Sequence, residues 1–239
     1  MKRTLHLAAA FALLLLSIMN TTAQPTAMLA RQQALVTIAA YTATGNQARL
    51  HEALTQGLKA GMTVNEEKEV LVHLYAYCGF PRSLSGINTL MQLLEERKAQ
   101  GIEDVMGKAA SPITSTAPKY ERGKQNLEKL TGKPEIGPKT GANAFSPESD
   151  VFLKEHLFAD LFERDVLTFQ ERELATIAAL VSLGSVEPML QFHLGAGLHV
   201  GLTEAQLRQL IGLCEAAVSK QQVEAAHAVL TRVVAASAK

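Results

Sequence analysis

Two stretches decide the fold: "VTIAAYTATGNQARLHEALTQGLKAGMT" from Val36 to Thr63, and "ATIAALVSLGSVEPMLQFHLGAGLHVGLT" from Ala175 to Thr203. Thr37 and Gly45 in the first match Thr176 and Gly184 in the second at a shift of 139. One extra residue near Pro188 makes the shift 140, and Leu54, Gly57, Leu58, Gly61 and Thr63 then match Leu194, Gly197, Leu198, Gly201 and Thr203. Identities in fixed order with a single insertion mark an internal duplication. The chain reads as two copies of one unit.

Each copy reads as helix, short turn, helix, Gly-x-Thr turn, helix. Ala, Leu, Gln and Glu dominate, and apolar positions recur at three and four residues, the spacing of one helical face. In "AGMTVNEEKEVLVHLYAY" Gly61 suits a left-handed helix end, and Thr63 with Glu66 three residues on forms a capping box. Gly201, Thr203 and Gln206 repeat the device. Alternating apolar and polar runs of useful length are missing, so an all-α fold is expected. "YAYCGFP", Tyr75 to Pro81, reads as the end of a buried helix, with the proline forcing a turn.

Outside the repeats the chain has a leader and a connector. "MKRTLHLAAAFALLLLSIMNTTAQ" places Lys2 and Arg3 before an apolar run that ends in small residues, the pattern of a secretory signal peptide over residues 1–23. The mature protein is therefore expected to be exported, periplasmic or secreted, with no membrane association after cleavage. The first copy is assigned to residues 24–100 and the second to 149–239. Residues 101–148 are a proline- and glycine-rich linker with a short helix around Tyr120 to Leu130. The helix that follows has Ser149 or Asp150 as its cap.

Lys+Arg and Asp+Glu are each 23, and no basic run stands out, which argues against nucleic acid as a partner. Two cysteines are too few for a disulfide scaffold, although Cys78 and Cys214 are able to pair once in an oxidising compartment. His73 has no metal-ligand spacing to a second ligand.

The order of motifs resembles the carboxymuconolactone decarboxylase family, related in fold to alkylhydroperoxidase D. "YERGKQNLEKLTG", "LFERDVLTFQERELATIAALVSLGS" and "LQFHLGAGLHVGLTEAQLRQL" are similar to its opening segment, its next helix pair and its His-bearing helix. "YCGFP" in the first copy is similar to its closing motif. The resemblance implies a tandem alkylhydroperoxidase D-like fold, assembled as a homo-oligomer, trimeric or hexamer-like. It also implies either decarboxylation of a small carboxylated lactone without a cofactor, or thiol-based peroxide reduction through a Cys-x-x-Cys pair, a glutamate and a histidine.

His193, eight residues before Gly201, stands where the decarboxylase-like members place a histidine. Loss of carbon dioxide leaves charge on a lactone oxygen and a carbon that needs a proton, and an imidazole can serve either. The alternative is a histidine with only a packing role. Ala53 holds the matching place in the first copy, and His51 faces elsewhere. Glu66, twelve residues before Cys78, suits a proton relay and equally the capping box. Cys78 has Pro81 where a second cysteine would stand, so dithiol exchange within the motif is excluded, while oxidation resolved by Cys214 stays open against a buried spectator role. Arg172 and Tyr77 are the substrate-binding candidates, Arg172 as a holder of a carboxylate or as one half of an ion pair between subunits. Because Glu66 and "YCGFP" lie in the first copy and His193 in the second, a complete site has to be shared, with His193 facing the Glu66–Cys78 region. The reading is acid–base chemistry on a small carboxylated lactone or keto acid. Its alternatives are an antioxidant enzyme using Cys78 and a non-catalytic helical assembly.

Overall fold

The computed structural model describes residues 27–237, so the leader expected over residues 1–23 lies outside the described part. The chain is all-α. In the first copy α1 (Ala30–Thr44) and α2 (Gln47–Lys59) form a hairpin, and α3 (Val64–Ala99) follows the Gly-x-Thr turn. In the second copy α7 (Phe169–Leu183), α8 (Glu187–His199), α9 (Glu204–Leu213) and α10 (Lys220–Ser237) repeat the order. Between them lie α4 (Lys119–Thr131), the short α5 (Gly141–Phe145) and α6 (Pro147–Phe152), and a π-helical segment, Leu153–Leu161.

The two capping boxes expected after the Gly-x-Thr turns form as written. The Thr63 hydroxyl accepts from the Glu66 N–H at 3.3 Å while the Glu66 carboxylate takes the Thr63 N–H at 2.7 Å. Thr203 and Gln206 do the same, and a third box joins Thr168 to Glu171. The proline does not force the turn after Cys78. Gly79 does, with φ +80° and ψ 159°, a conformation that glycine adopts without the Cβ penalty. Pro81 then sits in the first turn of the next helical stretch, where a missing N–H costs nothing. Ser149 and Asp150 do not cap a helix either, because α6 starts earlier, at Pro147. Asp150 is fully buried and pairs instead with Lys154 and Lys139.

One core joins the copies. α1 and α7, matched in the repeat, pack on each other, with Leu35, Ile38, Ala39, Ala175, Ile177 and Ala178 all at 0 % exposure. Such apolar burial, roughly 1.5–3 kcal/mol per large side chain, is the main force holding the duplication together. A second cluster forms where the hairpin of α4 and the π-helical segment lies over α8, through Leu130, Phe158, Phe162 and Ala196. The connector is also tied back. The carbonyls of Val105 and Met106 accept the Val64 and Asn65 N–H groups at 3.0 and 2.9 Å, and Arg97 clamps Asp104 with both sides of its guanidinium.

One buried acid is not matched in the second copy. Glu67 is at 0 % exposure and neither carboxyl oxygen has a hydrogen-bond partner. It fills the space left by Gly57, where a Cβ would come within 2.2 Å of Oε1. In the second copy Gly197 leaves the same space, and Leu207 lies against it. Burial, and after it the charge of Asp104, pushes Glu67 up to about 9, so it is a neutral acid at pH 7. Its folded value lies above the ordinary 4.5, so its contribution to stability is complete below pH 4.5 and is lost as pH rises toward 9. Glu67→Leu should therefore raise the melting temperature more at pH 8 than at pH 5. Thermal unfolding at the two pH values checks this, and a lower melting temperature at pH 8 would contradict it.

Candidate active site between the two copies

Several of the enclosed polar residues gather along one seam between α3 of the first copy and α7 and α8 of the second. Glu69, His73 and Tyr77 follow one another at four-residue intervals, so they share a face of α3. Arg172, Glu173 and Thr176 come from α7, and His193 from α8. Arg172, Glu173, His73 and Thr176 are at 0 % exposure, Glu69 at 2 % and His193 at 6 %.

Arg172 organises the seam. Its Nη2–H donates to Glu69 Oε1 at 2.8 Å and to the Arg164 carbonyl at 2.6 Å, and its Nη1–H donates to His73 Nδ1 at 3.2 Å. Arg164, on the loop before α7, grips the same Glu69 carboxylate at 2.8–3.0 Å. The Phe162 ring lies 5.7 Å from the Arg172 guanidinium and edge-on to His73 at 5.5 Å. Since Nδ1 of His73 accepts from Arg172, its proton sits on Nε2 and is donated to Thr176 Oγ1 at 2.9 Å. Burial first, then the Arg172 charge and His193, hold His73 well below the usual histidine range. It is neutral and fixed in one tautomer.

His193 forms the other half. Its Nδ1 lies 2.9 Å from Glu173 Oε2, and since a carboxylate only accepts, Nδ1 carries the proton. Nε2 is then the basic nitrogen, and it has no protein partner among the described residues. The rings of Tyr77 and Phe192 stand edge-on to the imidazole at 5.5 and 5.0 Å. Phe192, 43 % exposed, also lines a groove of about 910 Å³ with His199, Lys133 and Gly195, a groove whose lining does not include the buried His193 itself. A carboxylate orienting a histidine whose far nitrogen is free is an arrangement suited to general acid–base work.

The residues singled out from sequence are distributed as follows. His193 does face α3 of the first copy, but it meets Tyr77 and not Glu66 or Cys78. Glu66 is held in its capping box and pairs with Arg31 at 2.8 Å. It lies eleven residues before Tyr77, about 16 Å along the helix. Cys78 points roughly 100° away from Tyr77 around the helix, packs against the main core and donates to the Leu74 carbonyl at 3.1 Å. Arg172 is not poised to hold a substrate carboxylate, because Nη1 and Nη2 are already bonded within the chain. It is the ion-pair alternative that the structure shows, with both partners in the same chain. The two cysteines are unpaired.

Glu69, Thr176 and Phe192 were not singled out from sequence. The four-residue spacing of Glu69, His73 and Tyr77 was the available signal. No cluster of side chains suited to holding a metal ion occurs among the described residues.

The second position related by the repeat is chemically empty. Gln33, Ala34 and Ala53 stand where the seam has Arg172, Glu173 and His193, and Gln209, Leu213 and Ala217 where it has Glu69, His73 and Tyr77. Gln33 and Gln209 bond the carbonyl and the N–H of Met28, each at 2.9 Å. Among the described residues there is thus one such charged seam and not a repeat-related second.

A comparison with curated proteins finds no match. The model of the carboxymuconolactone decarboxylase family matches two regions of the chain, residues 8–90 and 147–232. These regions contain both halves of the seam, Glu69 to Tyr77 in the first and Arg172 to His193 in the second. With most of its length matched in two consecutive regions, the chain belongs to the carboxymuconolactone decarboxylase family, as a tandem of two copies.

Proposed function

We propose that the protein is an exported enzyme that performs cofactor-free acid–base chemistry on a small carboxylated lactone or keto acid, at one site per chain. The observation that carries this reading is the Glu173–His193 pair, with Nδ1 bonded at 2.9 Å and Nε2 without a protein partner among the described residues. In the reaction considered, the substrate carboxylate leaves as carbon dioxide and its bonding electrons spread onto the lactone oxygen. Protonated at Nε2, His193 supplies a proton to the carbon or to that oxygen, and Glu173 stabilises the imidazolium. Arg172 and His73, both fully enclosed, keep the walls of the site fixed.

The antioxidant alternative needs a thiolate, and the thiols are poorly placed to form one. Burial pushes Cys78 up to about 11 despite nearby Arg82, and pushes Cys214 up to about 12. A screen of lactones and keto acids for substrate depletion, followed by kinetics of variants, tests the assignment. His193→Ala should reduce the rate at least ~100-fold with little change in melting, His193→Gln should be nearly as damaging, and Cys78→Ser should be close to wild type. Full activity in His193→Ala would remove the reading, and loss of peroxide turnover in Cys78→Ser with the fold intact would favour the alternative.

Assembly into a homo-oligomer is proposed on a second observation. Phe80, Leu84 and Met91, with the half-buried Ile87, form an apolar stripe on the outer part of α3 at 61, 55 and 55 % exposure for the first three. Their spacing puts them on one helical face, and leaving such a stripe in water is costly. Light scattering at micromolar concentration should show an oligomer that Leu84→Glu dissociates. A wild-type monomer would contradict this.

A further inference from the structure

Three of the enclosed side-chain atoms that lack a hydrogen-bond partner belong to this one seam: the Tyr77 hydroxyl, Glu173 Oε1 and Arg172 Nε. An orphaned polar atom in a core costs about 1–3 kcal/mol, so three together call for an occupant. Their chemistry is complementary, two N–H or O–H donors and one carboxylate acceptor. Their surroundings place Tyr77 against the dyad. Its ring stands edge-on to His193 at 5.5 Å, and the other oxygen of Glu173 bonds that same imidazole at 2.9 Å. Burial, and next the negative charge of Glu173, raises the phenol above the ordinary tyrosine range, so its hydroxyl keeps its proton and stays a donor.

We infer that a buried water joins the Tyr77 hydroxyl to the free oxygen of Glu173, so that Tyr77 of the first copy positions the Glu173–His193 dyad of the second. The water accepts from Tyr77 and from Arg172 Nε and donates to Glu173 Oε1, three bonds of the number a structural water usually makes. An anion fits less well, since it would face the Glu173 carboxylate. A water between these donors and the carboxylate brings no new charge into the core. The Tyr77 hydroxyl makes no hydrogen bond to either nitrogen of His193. Its part is to fix one carboxylate oxygen so that the other stays in line with Nδ1. No proton leaves Nδ1 in this account.

The inference rests on the acid–base reading of His193 for its purpose but not for its test, which reads the water directly. Nuclear magnetic resonance of the labelled full-length protein should show the His193 Nδ1 proton or the Tyr77 hydroxyl proton exchanging magnetisation with a long-lived internal water. In Tyr77→Phe that contact should vanish and the Nδ1 proton resonance should move, while Cys78→Ser, on the face of α3 turned away from the seam, should leave both in place. The rate on the substrate found by the screen should fall roughly 3–30-fold in Tyr77→Phe, less than in His193→Ala, as fits a group acting through another. Absence of any internal water contact in the wild type overturns the inference, even if Tyr77→Phe fails to fold. So does a Tyr77→Phe spectrum in which the Nδ1 resonance is unmoved. Full activity in His193→Ala with the water contact present would instead remove the functional reading and leave the water.

Discussion

The structure depends on a charge that cannot be left alone. Arg172 is at 0 % exposure in the middle of the molecule, where an unpaired guanidinium would cost several kcal/mol in desolvation. Its carboxylate partner, Glu69, comes from the other copy, 103 residues earlier in the chain. Hydrophobic burial between α1 and α7 holds the copies together, but apolar surfaces tolerate small shifts and rotations. The fork of Arg172 does not, since it has to meet Glu69, His73 and the Arg164 carbonyl at once. That requirement fixes the register of α3 against α7, and with it the place of Tyr77 beside His193. The directional interaction sets the geometry, and the non-directional one supplies the stability.

Duplication explains why such a seam can exist once and not twice. Two copies packed about a common axis create two related seams, and each must satisfy whatever polar groups it encloses. One holds two carboxylates, two histidines, a tyrosine and an arginine. The other replaced them with alanine, leucine and two glutamines whose amides bond the backbone of Met28. Neutral amides satisfied by main chain are far easier to bury than an ion pair. The fold was thereby relieved of one costly site while it retained the packing that supports the other.

The repeat, the two capping boxes after the Gly-x-Thr turns and the helical class were legible in the sequence, because each rests on local spacing. Thr63 with Glu66 and Thr203 with Gln206 are decided within four residues, and the structure has them as read. His193 was legible by its place before Gly201, and the need for a shared site followed from the split of motifs between copies. What was not legible depends on which face of a helix meets which neighbour. Cys78 and Tyr77 are adjacent in sequence yet point roughly 100° apart, and only Tyr77 faces the seam. The role of Arg172 could not be settled without knowing that Glu69 lies opposite it. The π-helical turn at Leu153–Leu161 leaves no clear trace in composition, although it sets where Phe162 meets Arg172 and His73.

The central claim is that the two copies are locked through Arg172 and Glu69, and a double-mutant cycle on that pair tests it most directly. The unfolding free energies of Arg172→Met, Glu69→Gln and the double variant would be measured by denaturant titration at one pH. Removal of either partner should cost about 3–5 kcal/mol, because it leaves the other charge buried with its partner gone or reduced. The double variant should be destabilised by clearly less than the sum, with a coupling of about 1–3 kcal/mol between residues of different copies. Single effects that add within about 0.5 kcal/mol would contradict the account, for the two side chains would then not hold the copies in register.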